Sequence, residues 1–413
     1  MRDIDLYRQI LGIEAPWYVK HVELDLEAGE VRVQLSHHDD PSLWRCPVCQ
    51  DIAPLYDHRQ ERTWRHLDTC QYKTLLIAAL PRVICPQHGT KTVEASWSAA
   101  NSRFTLLFER FAIDLLLATQ VQDKAAQILR LSPGQVHDLM KRAVTRGISR
   151  RDAEEPRPQL SLDEKAVQRG HSYITVLGDQ RQGCVLEIAE GRTGKNTERL
   201  LRHSLSPKQR KGVRSVTMDM WQAFLNACRR VFPKADVVHD LFHLAMHLGA
   251  AVDQTRRAEC RTLGKGKDNP LLGTRYYWLK KETNLTPKQR QIFQELRQAD
   301  LETARVWSFK ESFRRLFSCK TVEEGEAFFI SWFEAAIQTG NRFLVKVANR
   351  FRDHLPGILA YLKHRVTNAG AEGLNSRIQH LISCARGFRR FENLRIAILF
   401  FLGHLELYPQ KSP

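Results

Sequence analysis

Long apolar runs are missing from this sequence. No stretch approaches the roughly 18–20 residues needed to cross a bilayer, which excludes a membrane-spanning helix. The N-terminus, Met1-Arg-Asp-Ile-Asp, lacks the apolar core of a signal peptide, so a cytoplasmic protein is expected. An even cysteine framework is also missing. There are nine Cys with no regular disulfide spacing, and in a reducing compartment they are expected as thiols or metal ligands. Acid is in deficit: 46 Asp and Glu stand against 63 Lys and Arg, giving a net charge of +17 and a pI near 9.6. That excess raises self-repulsion in the compact state and points to a polyanionic partner. Nucleic acid is the first choice and an anionic membrane surface the rival. Hydrophobic content of 43% and charged content of 26% describe a globular chain. At 413 residues it has room for several domains of roughly 100–200 residues each.

Two alternating runs, Val19-Lys-His-Val-Glu-Leu-Asp-Leu and Val31-Arg-Val-Gln-Leu, flank Ala28-Gly29-Glu30 and predict a β-hairpin. Cys46-Pro-Val-Cys49 and Cys85-Pro-Gln-His88 follow. Each is a knuckle, two ligands separated by two residues with Pro in the turn. Together they offer three thiolates and one imidazole, a closed tetrahedral set for structural zinc. Free thiols in a small core are the alternative, and Cys70 and His66 are spare ligand candidates. Zinc would fold a segment too small to hold a core alone. Between the knuckles, Trp64-Arg-His66 and Tyr72-Lys-Thr-Leu-Leu-Ile77 read as strands.

Residues 104–145 read as three helices. Phe104, Leu107, Phe108, Phe111, Ala112 and Leu115 fit one face of the first. Gln122 to Leu129 form a short second helix, in which Ala125 and Ala126 permit close packing. Ser132 and Pro133 supply an N-cap and a first helical residue for the third. There Val136, Leu139 and Ala143 face inward, while Gln135, His137, Asp138, Lys141 and Arg142 face out. The spacing is that of a helix-turn-helix, with Gln135, His137, Lys141 and Arg142 as candidate DNA contacts; a generic three-helix bundle is the alternative. A proline-marked linker, Glu154-Glu-Pro-Arg-Pro-Gln, closes the region.

In the second half, strands are expected at Gln159–Glu164, Tyr173–Leu177, Cys184–Ala189, Val213–Asp219 and Ala235–Asp240. The first ends in Asp163-Glu164, the fourth in Asp219 and the fifth in Asp240. Gly191-Arg-Thr-Gly-Lys-Asn-Thr lacks the spacing of a phosphate-binding loop. The order β-β-β-α-β-α-β, with acids ending strands one and four, is a ribonuclease-H-like plan that calls for a third acid on a later helix. Glu372 fits. It opens a helical pattern with a stripe of Leu374, Ile378, Leu381 and Ile382, although taken alone it also reads as a surface salt-bridge acid. The aromatic-rich, helical stretch between is then an insertion. Asp240 and His243 are expected close to the site, and His239, His243 and His247 at i, i+4 and i+8 could line one helix face. Arg377, Arg386, Arg389, Arg390 and Arg395 are expected on phosphate backbone, with a solvated basic face as the alternative.

Taken in order, these motifs resemble the ISL3 family of bacterial insertion-sequence transposases, a branch of the DDE transposases. The resemblance is carried by the two knuckles, the helix-turn-helix, Leu162-Asp-Glu164, Thr217-Met-Asp219-Met-Trp221, Phe232 to His243, Asn368-Ala-Gly-Ala-Glu372-Gly-Leu-Asn375-Ser and Gly387-Phe-Arg-Arg-Phe391. It implies a multidomain α+β chain. A zinc-binding β module spans 1–100 and a helix-turn-helix 101–152. An α/β ribonuclease-H-like catalytic domain spans 153–249 and 361–413, interrupted by an all-α insertion at 250–360. It further implies that Asp163, Asp219 and Glu372 bind two Mg²⁺, with Mn²⁺ as substitute, for two-metal cleavage and joining of DNA. Double-stranded DNA, both element ends and target, is the implied partner, and a homodimer or larger assembly the implied state. Two other readings stay open: a DNA-binding regulator with an inactive second half, and an endonuclease on the same fold.

Overall fold

A computed structural model describes residues 3–38, 40–168, 172–264, 266, 268–280 and 284–410. The chain is mixed α+β and divides into two compact units, Met1–Arg151 with the tail from Leu405, and Asp152–His404. From the sequence, that tail was expected with the third acid. No helix among the described residues is long and apolar enough to cross a membrane.

The first unit opens with α1 (Asp3–Leu11), which the alternation pattern did not predict. The expected hairpin is β1 (Trp17–Asp25) with β2 (Glu30–His37). β3 (Leu55–His58), β4 (Arg62–Arg65), β5 (Lys73–Ala78), β6 (Pro81–Cys85) and β7 (Gly89–Thr92) follow. They form two sheets, ordered β1-β2-β5-β4 and β3-β6-β7. Trp17, Trp44, Trp64 and Trp97 meet edge to face in the core beneath them, the arrangement favoured by ring quadrupoles.

Helices α2 (Leu106–Thr119), α3 (Gln122–Leu129) and α4 (Pro133–Ser149) complete this unit. The face predicted for α2 is corrected. Leu107 and Phe111 are exposed, and the buried stripe is Leu106, Phe108, Glu109, Ala112, Ile113 and Leu116. A buried acid inside the stripe hid the true periodicity. Ser132 caps α4 through a reciprocal capping box with Gln135. Gly147 of α4 has no room for a side chain: a Cβ there would lie 2.6 Å from that of Leu405.

The second unit is built on a five-stranded sheet in the order β10-β9-β8-β11-β12. Its strands are β8 (Gln159–Gln168), β9 (Ser172–Asp179), β10 (Cys184–Glu190), β11 (Ser215–Met218) and β12 (Asp236–His239). β9 pairs antiparallel with β8 and β10, whereas β8, β11 and β12 run parallel. The expectation that β8 stops at its acids is corrected. Its parallel ladder with β11 ends at Leu162, but its antiparallel ladder with β9 continues to Gln168. Helices α5 (Gly194–Ser204), α6 (Pro207–Gly212) and α7 (Gln222–Val231) come next, with Leu200, Leu201, Phe224 and Cys228 buried against Leu160, Leu162, Val216 and Met218 of the sheet.

α8 (Leu241–Thr262) leads into α9 (Arg275–Leu279), α10 (Pro287–Gln298), α11 (Glu302–Phe313), α12 (Val322–Gln338), α13 (Arg342–Asp353) and α14 (Leu355–His364). Trp278, Phe293, Phe313, Phe329 and Phe351 fill their shared core. The chain then returns to the sheet through α15 (Ala369–Cys384) and α16 (Phe391–Leu402). Leu374, Ile378, Leu381 and Ile382 are the buried stripe of α15, as expected. Gly178 of β9 lets this helix close in, since a Cβ there would come within 3.2 Å of Leu374 and 2.5 Å of Ser161.

His66, a spare zinc candidate, belongs instead to the joint between sheet and helix in the first unit. The Thr105 hydroxyl accepts the Phe108 N–H (3.3 Å) and so offers its own proton to His66 Nδ1, 2.9 Å away. Burial, aided by the Arg65 charge, pushes the His66 pKa down to about 4. Folded His66 therefore holds a proton more weakly than an unfolded histidine near ~6.5. The unfolded state takes up the extra proton as pH falls through that window, and the native state loses about 2–3 kcal/mol on the way. Urea unfolding at pH 7 and pH 4.5 is expected to show this loss in the native protein and a smaller one in His66→Gln.

Candidate active site and metal centre

The knuckles meet in space. The Cys49 and Cys85 sulfurs are 3.7 Å apart, and His88 Nδ1 lies 3.8 Å from Cys46 Sγ and 3.5 Å from Cys85 Sγ. A tetrahedron with bonds of about 2.3 Å has edges of about 3.8 Å, so the set fits zinc. Among the described residues it is the group of three or more His, Cys, Asp or Glu whose donor atoms all lie within 4.8 Å of one another. Backbone N–H groups of Cys49 and Val48 aim at the Cys46 sulfur and hold its pKa below the usual thiol range.

In the helical part of the first unit, Gln135 and Lys141 are exposed and His137 half-buried. Arg142 differs from expectation. It donates to the carboxylate of Glu109 (2.8 Å), as does Arg146 (2.9 Å), and Glu109 is only 1% exposed. Two arginines on one buried acid are a structural device, so Arg142 is half-committed before any DNA arrives. It still reaches an open cavity of about 380 Å³ that it shares with Arg103 and Gln135.

The acids of the second unit are brought together by strand register. Leu162, Met218 and His239 are level in the parallel ladder, so the residues that follow, Asp163, Asp219 and Asp240, stand side by side where that ladder ends. Asp163 accepts from the Glu164 N–H (2.8 Å) and from Asn375 Nδ2 of α15 (2.7 Å). Burial pushes its pKa up to about 6. Asp219 accepts the Met220 N–H (2.6 Å). Asp240 is the N-cap of α8 and binds His243 Nδ1 (2.8 Å), which lies 4.0 Å from Asp219. That hydrogen bond, and then the charges of Asp219, Asp240 and Asp163, raise the pKa of His243.

Glu372 stands exposed in the first turn of α15, one turn before Asn375, with no hydrogen bond or ion pair to its side chain among the described residues. Asn368, ahead of the same helix, accepts from Thr217 (3.1 Å) and donates to Asp240 (3.5 Å). Asn368 and Asn375 were absent from the sequence-based site. Their signal was the i, i+3 spacing of Glu372 and Asn375, which puts both on one helix edge. The histidine face is corrected: His239 is on β12, buried where a Cβ on Gly357 would strike its ring at 2.4 Å, while His243 and His247 are on α8. Arg377, Arg386, Arg389 and Arg390 are exposed, but Arg395 turns inward onto Glu187 (2.8 Å).

Comparison with known proteins bears on both regions. The ISL3 transposase profile matches residues 160–398, more than half of the chain. The chain belongs to the ISL3 family of DDE transposases. The zinc-finger profile of the IS204/IS1001/IS1096/IS1165 transposases matches residues 42–88, the segment that holds all four zinc ligands. The transposase for insertion sequence element IS1557 of Mycobacterium tuberculosis is 27% identical over 437 aligned residues, covering 99% of this chain and 98% of that protein. The transposase for insertion sequence element IS1001 of Bordetella parapertussis is 28% identical over 350, covering 83% and 85%. An ISL3 transposase cleaves DNA and transfers strands, and this one carries a structural zinc ribbon ahead of its DDE domain.

Two variants separate the structural roles. Cys46→Ser is expected to lower bound zinc, read by atomic absorption, and to lower the melting temperature of the native chain. Glu109→Ala removes the shared partner of two arginines, and a loss of about 3 kcal/mol is expected in denaturant titration.

Proposed function

We propose that the second unit is a ribonuclease-H-like nuclease domain in which Asp163, Asp219 and Glu372 hold two divalent cations, Mg²⁺ with Mn²⁺ as substitute. The in-register placement of Asp163 and Asp219 on neighbouring parallel strands carries this reading, with Glu372 on the helix whose Asn375 binds Asp163. Anions placed that close repel one another, and cations relieve them. The donor set is hard oxygen, which suits Mg²⁺. The buried Asn375 Oδ1 has no hydrogen-bond partner, an acceptor that a hydrated cation would satisfy. When bound, such ions lower the pKa of water and stabilise the leaving oxygen of a phosphodiester.

The chain's own residues do the rest. Asn375 fixes the rotamer of Asp163, and the Met220 N–H fixes Asp219. His243, held by Asp240, places its ring 4.0 Å from Asp219, where the surrounding acids favour its protonated form. Glu372 is the third ligand, one turn before Asn375 on the helix that Asn368 and Asn375 tie to the sheet. Gln135, His137, Lys141 and the free donors of Arg142 contact the terminal repeats, and Arg377, Arg386, Arg389 and Arg390 contact phosphate backbone.

The five-part division stated above, with an all-α insertion at 250–360, goes with this reading, except that the tail from Leu405 belongs to the first unit. So does a homodimer or larger synaptic assembly, because two element ends are processed together. So does action on nucleoid DNA in the bacterial cytoplasm.

The test is a Mg²⁺-dependent cleavage and joining assay on DNA carrying the ends of the element. Asp219→Asn and Glu372→Gln are expected to bind those ends like the native protein. Their cleavage is expected to fall by about three orders of magnitude, the scale of several kcal/mol of lost charge stabilisation. Undiminished Mg²⁺-dependent cleavage by either variant removes that residue from the site.

A further inference from the structure

The surface beside the acids is aromatic, in a chain whose net charge is +17. Trp221 follows Asp219 by two residues and Phe242 follows Asp240 by two. Because Met218 pairs with His239 in the ladder, the two rings occupy equivalent positions past the ends of neighbouring strands. Trp221 is 42% exposed and Phe242 59% exposed. Single exposed apolar side chains are ordinary on a protein surface. Two aromatic rings at matched positions, each two residues beyond an acid of one cluster, are not scattered in that sense.

Trp221 is held in place. The indole N–H of Trp221 donates to the Arg192 carbonyl (3.4 Å), and the Arg192 guanidinium covers the ring with its centre 5.1 Å from the centroid. Arg192 is itself pinned by Glu164 (3.1 Å), next to Asp163. Phe242 meets the His243 ring edge to face at 5.7 Å. Met246, one turn along α8, extends the apolar strip and is also exposed.

Duplex DNA shows a protein its phosphates and the edges of its bases. The faces of its bases are hidden in the stack. Rings exposed at this place have a matching surface on DNA only where a base has left the stack. The two strand-end acids of the site, Asp163 and Asp219, are half-buried, so a phosphate must be drawn down to the strand ends to reach them. Drawing one phosphate out of the helical path unstacks its neighbour. From this we infer that Trp221 and Phe242 form a platform for an unstacked nucleobase adjoining the scissile phosphate. Every base has a π-face, so the platform tolerates sequence, and the guanidinium behind Trp221 strengthens the stack. The inference rests on the placement of the nuclease site at Asp219.

The experiment compares full-length native protein with Trp221→Ala, Phe242→Ala and Trp221→Phe on two substrates. One is an intact element end, and the other carries an abasic nucleotide at the position flanking the cut, scanned over the nearest nucleotides on either side. The alanine variants are expected to cleave the intact end about ten- to a hundred-fold more slowly. At one abasic position, where no base needs a platform, they are expected to recover to within about two-fold of the native rate. Trp221→Phe is expected to stay near native on both substrates. Native cleavage rates in the alanine variants on the intact end overturn the platform, and so does an equal loss at every abasic position. Equal losses accompanied by a change in oligomeric state assign the strip to a second copy of the chain instead. Failure of the native protein to cleave either substrate with Mg²⁺ overturns the nuclease-site assignment, and the platform with it.

Discussion

Parallel pairing of β8, β11 and β12 sets where three carboxylates can be. Each strand hands over from a buried apolar or aromatic residue to an aspartate at the same level: Leu162 to Asp163, Met218 to Asp219, His239 to Asp240. Side chains alternate across a sheet, so a slip of one residue in any of these ladders would carry its acid to the opposite face. The hydrophobic packing of Leu160, Leu162, Val216 and Met218 against α5 and α7 forbids that slip. The core of the second unit and the charge constellation at its edge are therefore one constraint seen from two sides. The hydrophobic effect fixes the register, and the register creates the repulsion.

That repulsion is managed by neutral amides and one histidine rather than by arginine. Asn375 and Asn368 tie α15 to Asp163, Thr217 and Asp240, and His243 sits among the acids. Arginines at these positions would cancel the field that attracts cations. Amides orient the carboxylates and leave their charge in place. The first unit solves the opposite problem. Glu109 is buried among helices rich in basic residues, and two arginines are bent inward to meet it. Positive charge is thereby spent on structure in one unit and kept for DNA elsewhere. The inward turn of Arg395 onto Glu187 shows that the same choice recurs within the basic tail.

The zinc ribbon follows a third logic. Its four ligands come from two knuckles separated by strands β3 to β6, and the tryptophan cluster belongs to the same core. A closed ligand set with edges near those of a tetrahedron adds the constraint that two small sheets cannot supply by burial alone.

The local features of this protein were legible in the sequence, because each depends on short-range spacing. The two knuckles, the β1–β2 hairpin, the α3 and α4 helices with their Ser132 cap, and the stripe of Leu374, Ile378, Leu381 and Ile382 all declare themselves within a few residues. The ordered set of motifs was also sufficient to identify the family, since order along a chain needs no coordinates. Features that depend on a distant partner were not legible. The face of α2 was misread because Glu109 is buried with partners supplied from elsewhere, Arg142, Arg146 and the Ser102 hydroxyl. β8 outran its acids because β9 continued to pair with it. His239 left the expected helix face because β12 needed it against Gly357. Asn375 gained its role only when α15 came down on β8, a contact between residues more than two hundred positions apart. A sequence states which groups are present and how they repeat. Which of them are buried together, and so which charges must be answered, is decided by packing between segments that are remote in the chain.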